Sequence, residues 1–492
     1  MKQDLFRLLA ILFFLHFSIT TTGKTLDSLV LIDSTPQIIQ NLWKPLLLED
    51  KFKIEDRGIN PELIPTRKKH FWRASTQWFL AQAFPATFNR FITRDPYSYI
   101  TFQNFLDHQR LSAWDWDDNQ FSTNQIDHPF HGNLYFNAFR SNGYNFYQAS
   151  AATLAGSYIW ETAGETQHPS INDLVNTTFG GIILGEMTHR VSRNILARNR
   201  NGRNMVGNEI VALLVNPVNS LNRWLDGKWG KKIDDYYAID SSIISAEFDM
   251  GYRRFDAREG DFLTKGKNSI YSRLRFQYKN GDHNWKRPFD EFSVNFEVGN
   301  GDSTFINAIN VHALLQGAEF FKTKRGQHFG TLDAHYDVYN NDAFFYGGQS
   351  LVYNWNSQFT YKKENRLNLS VGAGAVLLAA VPDPYLLYGD SRNYNYGSGV
   401  SYRFKGELSL LQRFLISGHY NGGYFHTISG NDSYYLIHAA TLEASVRLFK
   451  RFSLNFASGY FSLDGHFEDS RYQDFYRDYP FARASLGYNI QF

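Results

Sequence analysis

The sequence predicts an α+β membrane protein, with an N-terminal periplasmic helical domain followed by an antiparallel transmembrane β-barrel of about twelve strands. Three observations predict it. From about Tyr236 onward the chain alternates apolar and polar residues with period two. Aromatic residues make up 17% of the chain, yet its mean hydropathy is −0.41, as expected of a barrel with aromatic girdles and a polar lumen. The third is an export segment at the start, with no later apolar run long enough to cross a bilayer as a helix.

The export segment comes first in the chain. Lys2 and Arg7 precede an apolar run from Leu8 to Ile19, which gives way to Thr20, Thr21, Thr22 and Gly23. A charged start, a short apolar core and a small polar end make a secretory signal peptide over 1–23. The run falls short of the roughly 20 residues that a membrane helix needs. The chain has no cysteine, which excludes disulfides, thiol chemistry and a lipidated Cys anchor. Its 50 basic and 48 acidic side chains leave a net charge of +2, and nothing in that balance favours nucleic acid as a partner.

After an N-terminal extension at 24–66, a helical domain is expected over 67–228. Its first helix, Arg67 to Phe91, carries Phe71, Trp72, Trp78, Phe79, Phe84, Phe88 and Phe91 nearly all round. Such a helix is either deeply buried or lies against lipid at the inner leaflet of the outer membrane. A dense polar string follows in Asp127-His128-Pro129-Phe130-His131-Gly132-Asn133, then Arg140, then a small-residue helix from Ala149 to Glu165. Glu161 and Glu165 stand four apart, where like charges repel unless a proton or cation is shared. Ser170 reads as a helix N-cap with Asp173 three residues on. Gly181 and Gly185 permit close helix approach, expected against the small-residue helix and bringing Glu161 toward the Asp173 face.

The barrel is expected over 236–492. Ile244, Ala246, Phe248, Met250 and Tyr252 alternate with Ser245, Glu247, Asp249, Gly251 and Arg253, and similar greasy faces recur at Leu351 to Tyr361, Leu367 to Ala373, Ala440 to Leu448 and Phe452 to Tyr460. Tight links near 363–366, 412–413 and 450–451 fit the periplasmic rim, and longer ones near 256–267, 381–395 and 463–479 fit the outside. The other face carries both charge signs, including Glu247, Asp249, Arg253, Arg273, Arg275, Glu297, Arg403, Glu407, Glu443, Arg447 and Arg483. In a barrel this narrow these groups are expected to pair and fill the interior, which disfavours a wide pore. The last strand alternates to a terminal Phe492, the form of signal by which the barrel assembly machinery recognises its clients. Partners are therefore the outer-membrane bilayer and that machinery. The expected location is the bacterial cell outer membrane, with the helical domain on the periplasmic side.

The string Ser157-Tyr158-Ile159-Trp160-Glu161, Gly164-Glu165, Pro169 to Leu174, Thr177, Gly180-Gly181 and Gly185-Glu186, with His128-Pro129 and Gly132 before it and Asn216-Pro217 after it, resembles the family called domain of unknown function 3943. That resemblance implies the same order of signal peptide, helical module and barrel, and implies no activity. The Glu, Ser, Asp, Asn and Gly spacing is also weakly similar to the paired helices of the VanZ-like family.

Three functions fit these residues. In the first, the barrel anchors a module for envelope organisation or lipid handling, and His128, His131, Glu161 and Asp173 form a buried network that fixes helix packing. In the second, the module is an enzyme on an envelope lipid or glycan. Its candidates for acid, base, metal-ligand or phosphate-clamp roles are His128, His131, Arg140, Glu161, Glu165, Asp173, Glu186 and His189. In the third, His312, Asp333, His335 and Asp337 line a transport path through the barrel. The residues name no cofactor and no particular metal.

Overall fold

A computed structural model describes residues 68–491, apart from 202–203, 233–242, 257–261, 281–284, 301–304, 342–344, 362–363, 390 and 450. The expected signal peptide, the extension and Phe492 lie outside the described residues. The described residues form two compact units, one within 60–187 and 241–492 and the other within 188–240.

In the first unit, twelve antiparallel strands close into a barrel in which every strand pairs with its neighbours in sequence, and β12 (Phe475–Gln491) returns to β1 (Ile243–Phe255). Closure is in register from Ser245 opposite Gln491 to Phe255 opposite Phe481. Between them run β2 (Lys267–Lys279), β3 (Glu291–Gly299), β4 (Ile306–Lys322), β5 (Gly326–Asn340), β6 (Phe345–Tyr361), β7 (Asn365–Pro382), β8 (Tyr394–Leu410), β9 (Phe414–Ser429), β10 (Ser433–Phe449) and β11 (Phe452–Phe467). The expected long link at 463–479 shrinks to 468–474, because both flanking strands run further than their alternation suggested.

Alternation sorts the side chains as the sequence implies. Met250, Tyr252, Tyr353, Trp355, Val371, Leu442 and Phe456 point outward and are exposed, an apolar belt of the kind that lipid covers. The interior is packed at two levels. One is ionic: Arg273 bonds Asp249 at 2.8 Å and, across the lumen, Glu443 at 2.9 Å, Arg253 and Arg483 hold Glu297 at 2.9 and 2.6 Å, and Arg403 holds Asp337 at 2.6 Å. The other is apolar, where Phe255, Tyr339, Tyr346, Phe425, Tyr435, Ile437, Leu463, Tyr479 and Phe481 form a core inside the barrel. Between the two, a cavity beside Asp337, Arg403, Asn421 and Phe425 measures about 20 Å³, room for about one water.

The α-helices that precede the barrel in this unit are α1 (Phe71–Phe88), α2 (Phe102–His108), α3 (His128–Arg140), α4 (Phe146–Ala163), α5 (Ile171–Val175) and the start of α6 (Gly181–Ala197). This region meets the outer wall of the barrel through Phe146 of α4, Val175 of α5, the segment 116–125 and Asn176. Asn395 points inward to Tyr435, so its neighbours Tyr394 and Tyr396 face out, and there they receive the helical region. Phe121 packs on Phe345 and Tyr394, Trp116 on Tyr396, and Phe146 on Phe289. Polar contacts add to these. Asn124 donates to both tyrosine hydroxyls at 2.8 and 2.9 Å, Gln349 donates to Asn176 at 2.6 Å, and Tyr336 donates to the Gln125 carbonyl.

The aromatic face of α1 is not buried in protein. Phe71, Trp72, Phe79, Leu80, Phe84 and Phe88 are all exposed, Trp72 to 81% and Phe84 to 74%. Among the described residues no helix is long and apolar enough to cross a membrane.

The second unit holds the rest of α6, with α7 (Met205–Val215) and α8 (Pro217–Leu225). Ile195, Leu196, Ala212 and Val215 form its core. Buried Glu209 takes a two-pronged bond from Arg223 and a third from Asn199. Asn216 caps α8 by accepting from the Asn219 amide, with Pro217 set at the first helical position.

Candidate functional site

The site forms where α3, the end of α4 and α5 converge. A π-helical turn, Thr123–Asp127, leads directly into His128, whose amide donates to the Thr123 carbonyl, and Pro129, with no amide to donate, follows at the start of α3. Ser170 caps α5 as expected, its hydroxyl accepting from the Asp173 amide at 3.3 Å. A second π-helical turn, Asn176–Gly180, links α5 to α6. Such turns recur at functional sites, because the extra residue re-aims the side chains around it.

Backbone proximity brings these pieces together. A Cβ on Gly132 would stand 1.9 Å from the Thr177 carbonyl oxygen, and one on Gly181 would stand 2.5 Å from the Gly132 Cα. Gly181 therefore meets α3, not the small-residue helix α4, which corrects the expected pairing. The crossing places His128 Nε2 3.4 Å from Asp173 Oδ1 and Nδ1 3.1 Å from the Thr177 hydroxyl.

Glu161, on the last turn of α4, is buried and accepts the Ser170 amide at 2.8 Å. Glu165 does not continue that helix, which stops at Ala163 with Gly164 as its cap, and its carboxylate accepts from the Trp160 indole. The i,i+4 pair expected on one helix therefore becomes two carboxyls on a helix end and the turn after it. His128, Glu161 and Asp173 each offer one ligand atom within 4.8 Å of the other two.

Electrostatics follow from four carboxyls, Asp117, Glu161, Glu165 and Asp173, set around one imidazole. Burial raises the Glu161 carboxyl well above its ordinary range, and Asp173 and Glu165 push it further. Burial raises Asp173 likewise, with Asp117 adding to it. Glu165 is pushed up to about 7, burial outweighing the attraction of His128. Burial lowers His128 against the pull of Glu165 and Asp117. Such a cluster relaxes by sharing protons or by taking up a cation.

The other expected residues separate. His131 sits three residues beyond His128 but faces α1. Its Nε2 lies 3.0 Å from the Ala81 carbonyl and 2.8 Å from the Tyr135 hydroxyl, and burial lowers it to about 4. Arg140 grips Glu186 with two bonds of 2.7 and 2.9 Å, so both serve a buried ion pair. His189 is buried on α6, in the second unit.

Asp117 was missed in the sequence. Its amide donates to Asn172 at 2.9 Å and its carboxylate accepts from Asn119 and Asn124. The acidic-aromatic run Trp114-Asp115-Trp116-Asp117-Asp118 was the available signal. Tyr394 and Tyr396 could not be linked to the site from sequence, being some 270 residues away from their partner Asn124.

No curated protein matches the chain's sequence. Among solved structures, an outer membrane channel from Pseudomonas putida F1 is 10% identical with a TM-score of 0.30, over 52% of this chain and 96% of that one. The outer membrane channel DcaP of Acinetobacter baumannii is 8% identical with a TM-score of 0.24, over 52% and 99%. The Pseudomonas putida toluene transporter TodX is 9% identical with a TM-score of 0.22, over 51% and 90%. Likeness this slight carries no reading of function. Residues 113–218, which hold all of the polar cluster, match the model of the family described as "Domain of unknown function (DUF3943)", the resemblance expected from the Ser157 to Glu186 string.

Proposed function

We propose that this is an outer-membrane protein whose barrel is a closed anchor and whose helical module organises or handles envelope lipid at the barrel's flank. The observation that carries this reading is the exposed aromatic face of α1, in the same unit as the barrel's apolar belt. An apolar surface of that extent facing water is costly, at about 25 cal/mol per Å², and large exposed patches mark lipid or partner contacts. In this reading 1–23 is removed on export, 24–66 is an extension, 67–228 is the helical domain and 236–492 is the barrel. The tight links and both barrel ends share one rim, which we assign to the periplasm, and the assembly machinery reads the strand ending at Phe492.

The packed ionic and aromatic interior argues against transport as the main role. A second reading, an enzyme on an envelope lipid or glycan, is favoured by the raised carboxyls beside His128, of which Glu165, pushed up to about 7, falls in the range that acid-base chemistry uses. Lipid analysis of the protein purified in mild detergent tests the first reading. The double variant Phe79→Glu, Phe84→Glu is expected to lose most co-purifying lipid while the barrel keeps its heat-dependent gel shift; unchanged lipid content would overturn it. For the second reading, Glu161→Gln would alter the envelope lipid profile with the helices still folded, whereas a packing network predicts loss of folded helices.

A further inference from the structure

We propose that the barrel lumen holds a transition-metal site built from His312, Asp333 and His335, suited to Zn²⁺ or a similar first-row divalent ion. His312 on β4 and His335 on β5 stand directly opposite in the antiparallel register. Period two puts Asp333 on the same inward face as His335. The two imidazole rings lie parallel, 8° apart with centroids separated by 4.6 Å. His312 Nε2 is 3.0 Å from Asp333 Oδ2, and one ligand atom from each residue falls within 4.8 Å of the other two.

A second observation points to a ligand. His335 is only 7% exposed, and its Nε2 has no hydrogen-bond partner among the described residues. A buried ring nitrogen without a partner loses its water and gains nothing, unless a metal takes its lone pair. The carboxylate is already aimed, because Thr331 donates to Asp333 Oδ2 at 2.9 Å and Asn354 donates to the same oxygen, the outer support that metal ligands usually have. The Arg403 guanidinium is engaged by Asp337 at 2.6 Å.

Two imidazoles and a carboxylate on a rigid ladder suit zinc and its neighbours, whereas calcium and magnesium take oxygen ligands. The His312 side chain is 44% exposed, which gives an ion a way in and leaves a position for water. The bound ion would tie β4 to β5 within the barrel.

The test uses untagged full-length protein in detergent, stripped with chelator and titrated with Co²⁺ and Zn²⁺. Wild type is expected to take up Co²⁺ with visible absorption that Zn²⁺ removes and Ca²⁺ does not. X-ray absorption of the zinc form should show two imidazole ligands, whereas the cluster of His128, Glu161 and Asp173 would show one. His335→Ala and the near-isosteric Asp333→Asn should each weaken uptake at the two-imidazole site about tenfold or more. No uptake by wild type, a single imidazole at the zinc, or unchanged affinity in both lumen variants would overturn the proposal.

Discussion

Gly132 on α3 and Gly181 on α6 touch backbone to backbone, so that a methyl group on either would overlap the other's Cα at less than 3 Å. This contact sets the distance between His128 and Asp173. Gly132→Ala should therefore cost at least about 1–3 kcal/mol and separate the two, because the obstacle is backbone and cannot rotate away. Far-UV circular dichroism should show the helices melting at lower temperature while the barrel's heat-dependent gel shift stays put. An unchanged helical melt would show that the crossing is looser than described.

In the Arg140–Glu186 pair the carboxylate is fully buried and the guanidinium nearly so, with side chains 0% and 12% exposed. Removing one partner strands the other, so Arg140→Met should destabilise the helical region by about 3–5 kcal/mol. The double variant Arg140→Met, Glu186→Met should recover most of that loss. Denaturant titrations followed by limited proteolysis measure both. A double variant as weak as the single one would contradict the pairing.

Two groups in the module respond to acid in opposite senses. Glu165, raised to about 7 from an ordinary 4.5, binds its proton more tightly in the fold, so its contribution is complete below 4.5 and fades as pH rises through about 7. His131, lowered to about 4 from 6.5, contributes fully above 6.5 and loses up to about 3 kcal/mol as pH falls through 4. The two slopes oppose each other between pH 4.5 and 6.5. Hydrogen exchange in α1 and α3 should show that His131→Asn flattens the acid loss and Glu165→Gln flattens the loss toward neutral pH. If either variant steepens its own limb, the assigned direction is wrong.

Glu443 receives Arg273 at 2.9 Å, and Arg275 and Arg483 stand beside it in the lumen. Glu443→Ala leaves three guanidinium groups short of their shared anion, and the barrel's unfolding temperature should fall by several degrees. In planar bilayers the parent protein should give no steady conductance. A sustained open level in wild type would show that the packing described in the lumen does not close it.

The barrel was legible because a strand with a greasy and a wet face writes its period directly into the sequence, as in Ile244 to Arg253, and tight links such as 450–451 give the rim. The lumen charges were legible for the same reason. Within the module, Ser170 and Asp173 were legible through capping chemistry, which is local. Not legible were contacts that fold topology makes. Gly181 was matched to the wrong helix because small residues advertise closeness without naming a partner. Glu165 was placed on the helix, which ends two residues earlier at Ala163, since a lone glycine such as Gly164 is a weak stop signal in a sequence. Asn124, Tyr394 and Tyr396 meet only because the helices lie on the outer wall, a placement that no spacing rule encodes.

The most direct measurement uses the chain's lack of cysteine. A single Phe84→Cys variant, labelled with an environment-sensitive fluorophore in reconstituted bilayers, reports where the α1 face lies. The account predicts blue-shifted emission quenched by acyl-chain spin labels and untouched by iodide in the water. Emission at the aqueous wavelength, quenched by iodide and indifferent to the lipid-borne labels, would contradict it.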